Sequence, residues 1–335
     1  MTVSAEKNHA GDRFVVSIRM TGLGDRLASL GAAWRYARDT GRTLVPHWRF
    51  GNLSPDSMKN VFLLCFQDTP DLAGVPFVAV DDINAIQLPR PRYPPIWDTD
   101  ALVELPFLRP TASFAANQAD AIELIRSGTD LSAKTVVFDG CVHDGLVSLE
   151  EARTFLSALR PVRNVQDAIN SFCERNKRVP LIGLHVRHGN GGEIMAHAPF
   201  WESFGCAIDR CARAIQHARA SILPDAPVLL CTDSIEVRDA LITSVPLVIT
   251  RHKHFGAPGE GSLHCVGDAW RYRDDALVEL LLLAQCSVVI RYPPGSFFSF
   301  YGAVMRSPPG PISRTVYELH RPWDDKDQLS PSIIF

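Results

Sequence analysis

Leu181-Ile182-Gly183-Leu184-His185-Val186-Arg187-His188-Gly189-Asn190-Gly191-Gly192-Glu193 is the stretch whose reading decides the fold. Its apolar start, Leu181 to Leu184, has the character of a buried strand in a parallel sheet. The strand runs into a dense polar cluster and then a glycine-rich turn. In open α/β sheets ligands sit just beyond the carboxyl ends of the strands, where His185, Arg187, His188 and Asn190 fall. A buried strand needs no arginine and two histidines at its exit for stability, so the cluster points to a ligand. The plainer alternative is an arginine salt-bridged at a strand end.

Downstream, the same alternation repeats. A helix from about Trp201 to Ser221 keeps Phe204, Ile208, Cys211 and Ile215 on one face. The strand Val228-Leu229-Leu230-Cys231 ends at Thr232-Asp233-Ser234, where Asp233 reads equally well as a helix N-cap and as a ligand contact. A strand at Leu247 to Thr250 leads to the loop Arg251 to Gly267. That loop holds His252, His254, His264 and Cys265 but no full ligand spacing, so it reads as a surface loop rather than a metal site. A helix from Asp274 to Gln285 precedes the strand Ser287 to Ile290, which exits through Arg291-Tyr292-Pro293-Pro294-Gly295-Ser296-Phe297-Phe298-Ser299 into a final helix. A glycine and serine turn entering a helix suits a diphosphate, because free N–H groups and the helix dipole stabilise an anion there. Arg187 supplies the full positive charge that a metal would otherwise bring.

Upstream, Phe14 to Met20 reads as a strand that turns through Thr21-Gly22-Leu23-Gly24-Asp25 into a helix over Arg26 to Arg38. Leu27, Leu30, Trp34 and Ala37 share one face of it, Gly41 stops it, and Thr43-Leu44-Val45 is the next strand, completing a βαβ unit. Gly22 and Gly24 match half of a dinucleotide fingerprint, but Leu27 stands where the third glycine belongs, which disfavours a nicotinamide-dependent oxidoreductase. From Gly51 to Pro110 the pattern is irregular and proline-rich at residues 88–95. Thr135 to Asp139 is another strand, Ser148-Leu149-Glu150-Glu151 a capping box, and Val165 to Arg175 a helix. The basic, proline-terminated segment Arg175 to Pro180 then divides the chain. Two Rossmann-like domains follow from this order, 1–180 on the acceptor side and 181–310 for the nucleotide, with a ligand cleft between them. Residues 311–335 are expected to form a tail that packs back on the N-terminal domain.

Bulk properties narrow the function. At 335 residues with 46% hydrophobic and 21% charged residues, the chain has the composition of an ordinary soluble protein. A net charge of −3 argues against a nucleic-acid binder or a polybasic membrane binder. Eight cysteines without a CxxC pair read as reduced core thiols, and Cys206 and Cys211 point to different sides of their helix. Met1 to Asp12 is polar and lacks a signal-peptide pattern. The longest apolar tract, Ala276 to Ile290, is broken by Glu279 and Gln285 and is too short to span a bilayer. The expectation is a cytoplasmic enzyme.

These residues together resemble a known family. Leu184-His185-Val186-Arg187-His188-Gly189-Asn190-Gly191, with His197-Ala198-Pro199-Phe200-Trp201 after it, closely resembles the donor-site motif of the rhizobial nodulation fucosyltransferases (nodulation protein Z), within the α1,6- and protein O-fucosyltransferase group. Cys231-Thr232-Asp233-Ser234 and Leu283-Ala284-Gln285-Cys286 through Ile290-Arg291-Tyr292-Pro293-Pro294 are similar to the second and third motifs, and Arg19 to Asp25 and Ala33 to Leu44 also fit. The resemblance implies a GT-B fold and inverting, metal-independent transfer of L-fucose from GDP-β-L-fucose. The implied acceptor is the 6-hydroxyl of reducing-end N-acetylglucosamine in chitin-type oligosaccharides. By the same resemblance Arg187 binds the β-phosphate and supports the leaving group, His185 lies by the nucleotide, and Glu193 is the base. Asp233, Glu279, Ser296 and Phe298 fall where related enzymes hold nucleotide or diphosphate; His188 and Asn190 complete the donor-site set. His188 stands where animal relatives carry a second arginine, and Gly295-Ser296-Phe297-Phe298 replaces a paired serine. A fucosyltransferase with another glycan acceptor and a non-catalytic nucleotide-sugar binder are the competing readings.

Overall fold

β1 (Phe14–Ser17), α1 (Leu23–Thr40) and β2 (Thr43–Pro46) form the expected opening βαβ unit. The computed structural model describes residues 13–19, 22–48, 59–82, 87–98, 122–138, 148–176, 181–191, 203–261, 263, 273–292, 296–305, 315–319 and 333–334. Gly41, at φ +64°, terminates α1 in the left-handed conformation that only glycine adopts without strain. Leu27, Leu30, Trp34 and Ala37 are all buried, as their spacing predicts. The chain continues through α2 (Val61–Cys65), the short hairpin β3 (Asp71–Leu72) and β4 (Val75–Pro76), β5 (Arg92–Tyr93), a helix α3 seen over 122–127, β6 (Thr135–Phe138) and α4 (Leu149–Ala158). The sheet order is β2-β1-β6-β5, all parallel. The capping box holds: Ser148 accepts from Glu151 N, and Glu151 accepts from Ser148 N at 2.8 Å.

The second unit contains α5 (Arg163–Arg175), β7 (Ile182–Val186), α6 (Phe204–Ser221), β8 (Val228–Thr232), α7 (Ile235–Ser244), β9 (Val248–Ile249), α8 (Arg273–Leu283), β10 (Val288–Tyr292), α9 (Phe297–Val304), β11 (Thr315–Glu318) and β12 (Ile333–Ile334). Its sheet order is β12-β11-β10-β7-β8-β9, parallel except for the β11–β12 pair. From β7 the chain builds outward through β8 and β9 on one side, then returns through β10 and β11 on the other. The order therefore reverses between β7 and β10, and the carboxyl ends of those two strands flank the switch point where such sheets bind ligands.

Strand alternation sorts the side chains of this sheet. Ile182, Leu184, Val186, Leu230 and Ile290 join Ile208, Cys211 and Ile215 of α6 in one core. The residues between them face α8 and α9; a Cβ on Gly183 would lie 2.9 Å from Cys286 Sγ and from Leu283. That second face carries His185, Cys231 and Arg291 at one level, since His185 is in register with both of the others.

Two boundaries differ from the sequence reading. The units are Met1–Thr21 with Asp25–Arg160, and Gly22–Gly24 with Pro161–Phe335, so the main division precedes α5 rather than following residue 180. The reason is that α5 packs along α8, where Asn164 donates to Asp274 at 3.2 Å. Of the expected tail, 311–335, only 315–319 and 333–334 are described, and 315–318 extend the second sheet as β11. Val316, Tyr317 and Leu319 are buried there, and their apolar character drives the pairing. Within this unit Gly24 meets the start of α9, where a Cβ would fall 2.3 Å from Phe298 N. Close backbone approach thus explains a glycine in the Gly22-Leu23-Gly24 turn.

Candidate active site

His185 sits on the last turn of the pleat in β7, 7% exposed, and its Nδ1 has no hydrogen-bond partner among the described residues. Its ring lies against Phe298 of α9, with centroids 5.1 Å apart and planes 33° from parallel. Burial, then the positive charges of Arg187, Arg291 and Lys253, holds the imidazole well below the usual histidine range. His185 is therefore neutral at physiological pH, with a nitrogen available to a ligand. An unpaired polar atom in a buried position is costly. Here it lies at the switch point of the sheet in the field of three cations, a setting that favours an anionic ligand.

The turn after β7 is pinned by two of the predicted ligand residues. Asp233 accepts from the backbone N–H groups of His188 at 2.8 Å and Gly189 at 3.0 Å. Asn190, at φ 55°, donates through Nδ2 to the carbonyls of Asp233 (3.0 Å) and Gly261 (3.1 Å). Its Oδ1 stands 3.4 Å from His188 Nδ1. The 251–261 loop closes on this turn: Gly256 N donates to Asp233 O, and a Cβ on Gly256 would meet Asn190 Nδ2 at 2.1 Å. The two readings of Asp233 are resolved at the level of the helix. Ser234, not Asp233, caps α7, accepting from Val237 N. Asp233 and Asn190 spend these side-chain bonds on shaping the turn that presents Arg187.

Glu279, on α8, is buried and paired with Lys253 Nζ at 2.8 Å through Oε2, while its Oε1 has no partner among the described residues. Lys253 also donates to the carbonyl of Thr232 at 2.7 Å. Burial pushes the Glu279 carboxyl above the usual range despite the opposing pull of Lys253. Ser296 is the N-cap residue of α9 but makes no side-chain cap bond. Its carbonyl accepts from Arg291 Nη2 at 2.9 Å, and Arg291 Nε donates to Ser299 Oγ at 3.1 Å. Arg291 is 2% exposed, and burial lowers it to about 10. Its guanidinium fixes the entry to α9 that the sequence reading assigned to the diphosphate.

His185, Arg187, Glu279, Ser296 and Phe298 thus fall on the carboxyl ends of β7 and β10 and on the helices covering that face. Glu193 lies outside the described residues. Lys253 and Arg291 were not singled out as site residues from sequence. Arg291 carried the same signal as Arg187, an arginine ending an apolar strand run; Lys253 carried none, because an irregular loop has no periodicity to place it. In that loop His254 bonds Glu260 at 3.1 Å, and Glu260 also accepts from Ala257 N, so both are spent on the loop itself. Among the described residues no three His, Cys, Asp or Glu side chains converge as metal ligands do. No helix of the described residues is long and apolar enough to cross a membrane.

Comparison with known proteins shows the family of the chain. The family profile of nodulation protein Z matches residues 11–308. Nodulation protein Z of Sinorhizobium fredii (strain NBRC 101917 / NGR234) is 37% identical over 292 residues, 87% of this chain and 90% of that protein. The crystal structure of NodZ α-1,6-fucosyltransferase co-crystallised with GDP aligns at a TM-score of 0.73 and 29% identity, covering 92% of this chain and 96% of that one. The same enzyme soaked with GDP-fucose aligns at 0.72 and 28%, covering 96% and 98%. The two α/β units are those of a GT-B fold. By its match to the family profile over residues 11–308 and its identity to relatives along most of their length, this chain belongs to the nodulation protein Z family.

Proposed function

We propose that the chain is a cytoplasmic, inverting α1,6-fucosyltransferase. It moves L-fucose from GDP-β-L-fucose, without a metal, to the 6-hydroxyl of the reducing-end N-acetylglucosamine of chitin-type oligosaccharides. The observation that carries this reading is the buried, neutral His185, whose Nδ1 has no partner among the described residues and which lies in the field of Arg187, Arg291 and Lys253 at the switch point of a parallel sheet. Such a place favours a nucleotide diphosphate, and relatives of this chain bind GDP and GDP-fucose.

In the reaction the bond between the fucose anomeric carbon and the β-phosphate oxygen breaks, and its electron pair leaves with GDP. The acceptor oxygen bonds to the opposite face of that carbon, and its proton passes to Glu193. Arg187 stabilises the charge that grows on the departing diphosphate, where preorganised positive charge acts most strongly. Glu193, on the glycine-rich stretch after β7, is the general base. Glu279, His185, Ser296 and Phe298 hold the nucleotide, while Asp233, Asn190 and His188 shape the turn beside it.

The test is incubation of the protein with GDP-fucose and chitin oligosaccharides in the presence of chelator, read by mass spectrometry and GDP release. A fucosylated oligosaccharide, with the sugar on the 6-hydroxyl of the reducing end, is expected. GDP release without that product would reject the acceptor and keep the donor. Absence of both would reject the reading, and strict dependence on added Mg²⁺ or Mn²⁺ would reject the metal-free mechanism.

A further inference from the structure

The Lys253–Glu279 pair is a buried ion pair in which both side chains are almost fully enclosed, at 5% and 6% exposure. A buried pair of this kind is weak as a stabilising device, since desolvation offsets most of the attraction. Its geometry is also asymmetric. Oε2 of Glu279 accepts from Lys253, Lys253 also donates to the Thr232 carbonyl as a second anchor, and Oε1 has no partner among the described residues. A pair serving stability alone would satisfy both oxygens.

We propose that Lys253 is a positioning residue for donor binding: it fixes the Glu279 carboxylate so that Oε1 faces the ligand as a hydrogen-bond acceptor. The inference rests on the reading of Glu279 as a nucleotide contact and adds to it the residue that makes the contact selective. Among the described residues the charged and titratable groups that act on Glu279 are Lys253, Arg251, Asp275 and Cys231, and Lys253 also acts on His185. Burial raises Glu279, and Lys253 is the largest influence in the other direction. Without Lys253 the carboxyl takes a proton more readily and its acceptor oxygen loses its fixed direction. A guanine base offers an N1–H and an exocyclic amine as donors to such an oxygen, whereas a hypoxanthine base lacks the amine. Loss of Lys253 therefore weakens GDP more than IDP.

The experiment is calorimetric titration of GDP and of IDP into wild type, Lys253→Met, Lys253→Arg, Glu279→Gln and the double variant, each first checked by thermal melting. Lys253→Met is expected to weaken GDP about 10- to 100-fold, the range of a hydrogen bond to a charged group. It should also narrow the preference for GDP over IDP and make GDP affinity recover as pH is raised. Lys253→Arg should restore much of the preference. The double variant should bind GDP as Glu279→Gln does, because Lys253 acts only through the carboxylate. That comparison stands even if Lys253→Met alone does not fold. A folded Lys253→Met with wild-type affinity and preference would overturn the inference, as would a double variant that binds more weakly than Glu279→Gln. Wild-type GDP binding by Glu279→Gln would instead overturn the reading of Glu279 as a nucleotide contact, and the inference with it.

Discussion

Arg42 in the first unit and Glu279 in the second are both charged and both buried, yet their surroundings differ in kind. Arg42 donates to Asp130 through Nε and Nη2, to the Ala133 carbonyl at 2.8 Å through Nη1, and to the Leu131 carbonyl. Each of its three nitrogens has a partner from the chain itself. It ties the end of α1 to the segment before β6 and asks nothing of a ligand. Glu279 and His185 each keep one buried polar atom without a partner among the described residues, Glu279 beside Lys253 and Arg251, His185 in the field of Arg187, Arg291 and Lys253. Buried polarity that is saturated belongs to the scaffold; buried polarity left open beside a cluster of charge belongs to a site.

Substitutions should separate the two clusters by what they change. Arg187→Ala removes the charge facing the leaving diphosphate, and kcat/KM for fucosyl transfer should fall about 1,000-fold with little change in melting. Retention of most of the wild-type rate would break the assignment. Glu193→Gln should lower kcat about 100-fold while GDP affinity is kept, because the base acts on the acceptor and not on the donor. Equal losses in kcat and in GDP binding would move Glu193 out of that role. Arg42→Ala should do the opposite, lowering unfolding free energy by about 2 kcal/mol in denaturant titration while the folded enzyme keeps its kinetics. A kinetic defect without a stability loss would erase the contrast drawn here.

The smallest effect sharpens the picture of His185. Its folded pKa is depressed by burial, so as pH falls through about 6.5 the unfolded chain takes up a proton that the folded protein refuses. Stability that is present above that pH is lost below it. Ligand-free wild type should therefore lose more melting temperature between pH 7.5 and about 5.5 than His185→Gln does. Parallel pH curves for the two proteins would show that His185 is not held neutral.

How much of this was legible in the sequence follows from where local pattern and chemistry coincide. The β7 exit could be read because an apolar run, a charged cluster and a glycine turn follow one another without interruption. α1, the capping box at Ser148 and the strands β8 and β10 were readable for the same reason: strand and helix periods are local. β5 escaped, because two residues in a proline-rich stretch join the sheet only through pairing with β6. β11 escaped likewise, since its place is set by pairing with β10 and by Tyr317 and Leu319 joining the core beneath the sheet. The turn-shaping work of Asp233 and Asn190 depends on carbonyls and N–H groups distant in sequence, as does the capture of Lys253 by Glu279 across 26 positions. Residue type announced that these side chains were chemically able; only the fold decides which of them are already occupied.

The measurement that tests the central claim most directly is titration of GDP into wild type and Arg187→Ala under identical buffer conditions. The account predicts saturable one-to-one binding to the wild type and a loss of most of that affinity in a variant that melts as the wild type does. Equal affinity in the two proteins, or no binding to the wild type, would contradict the assignment of the β7 exit as the seat of a nucleotide diphosphate.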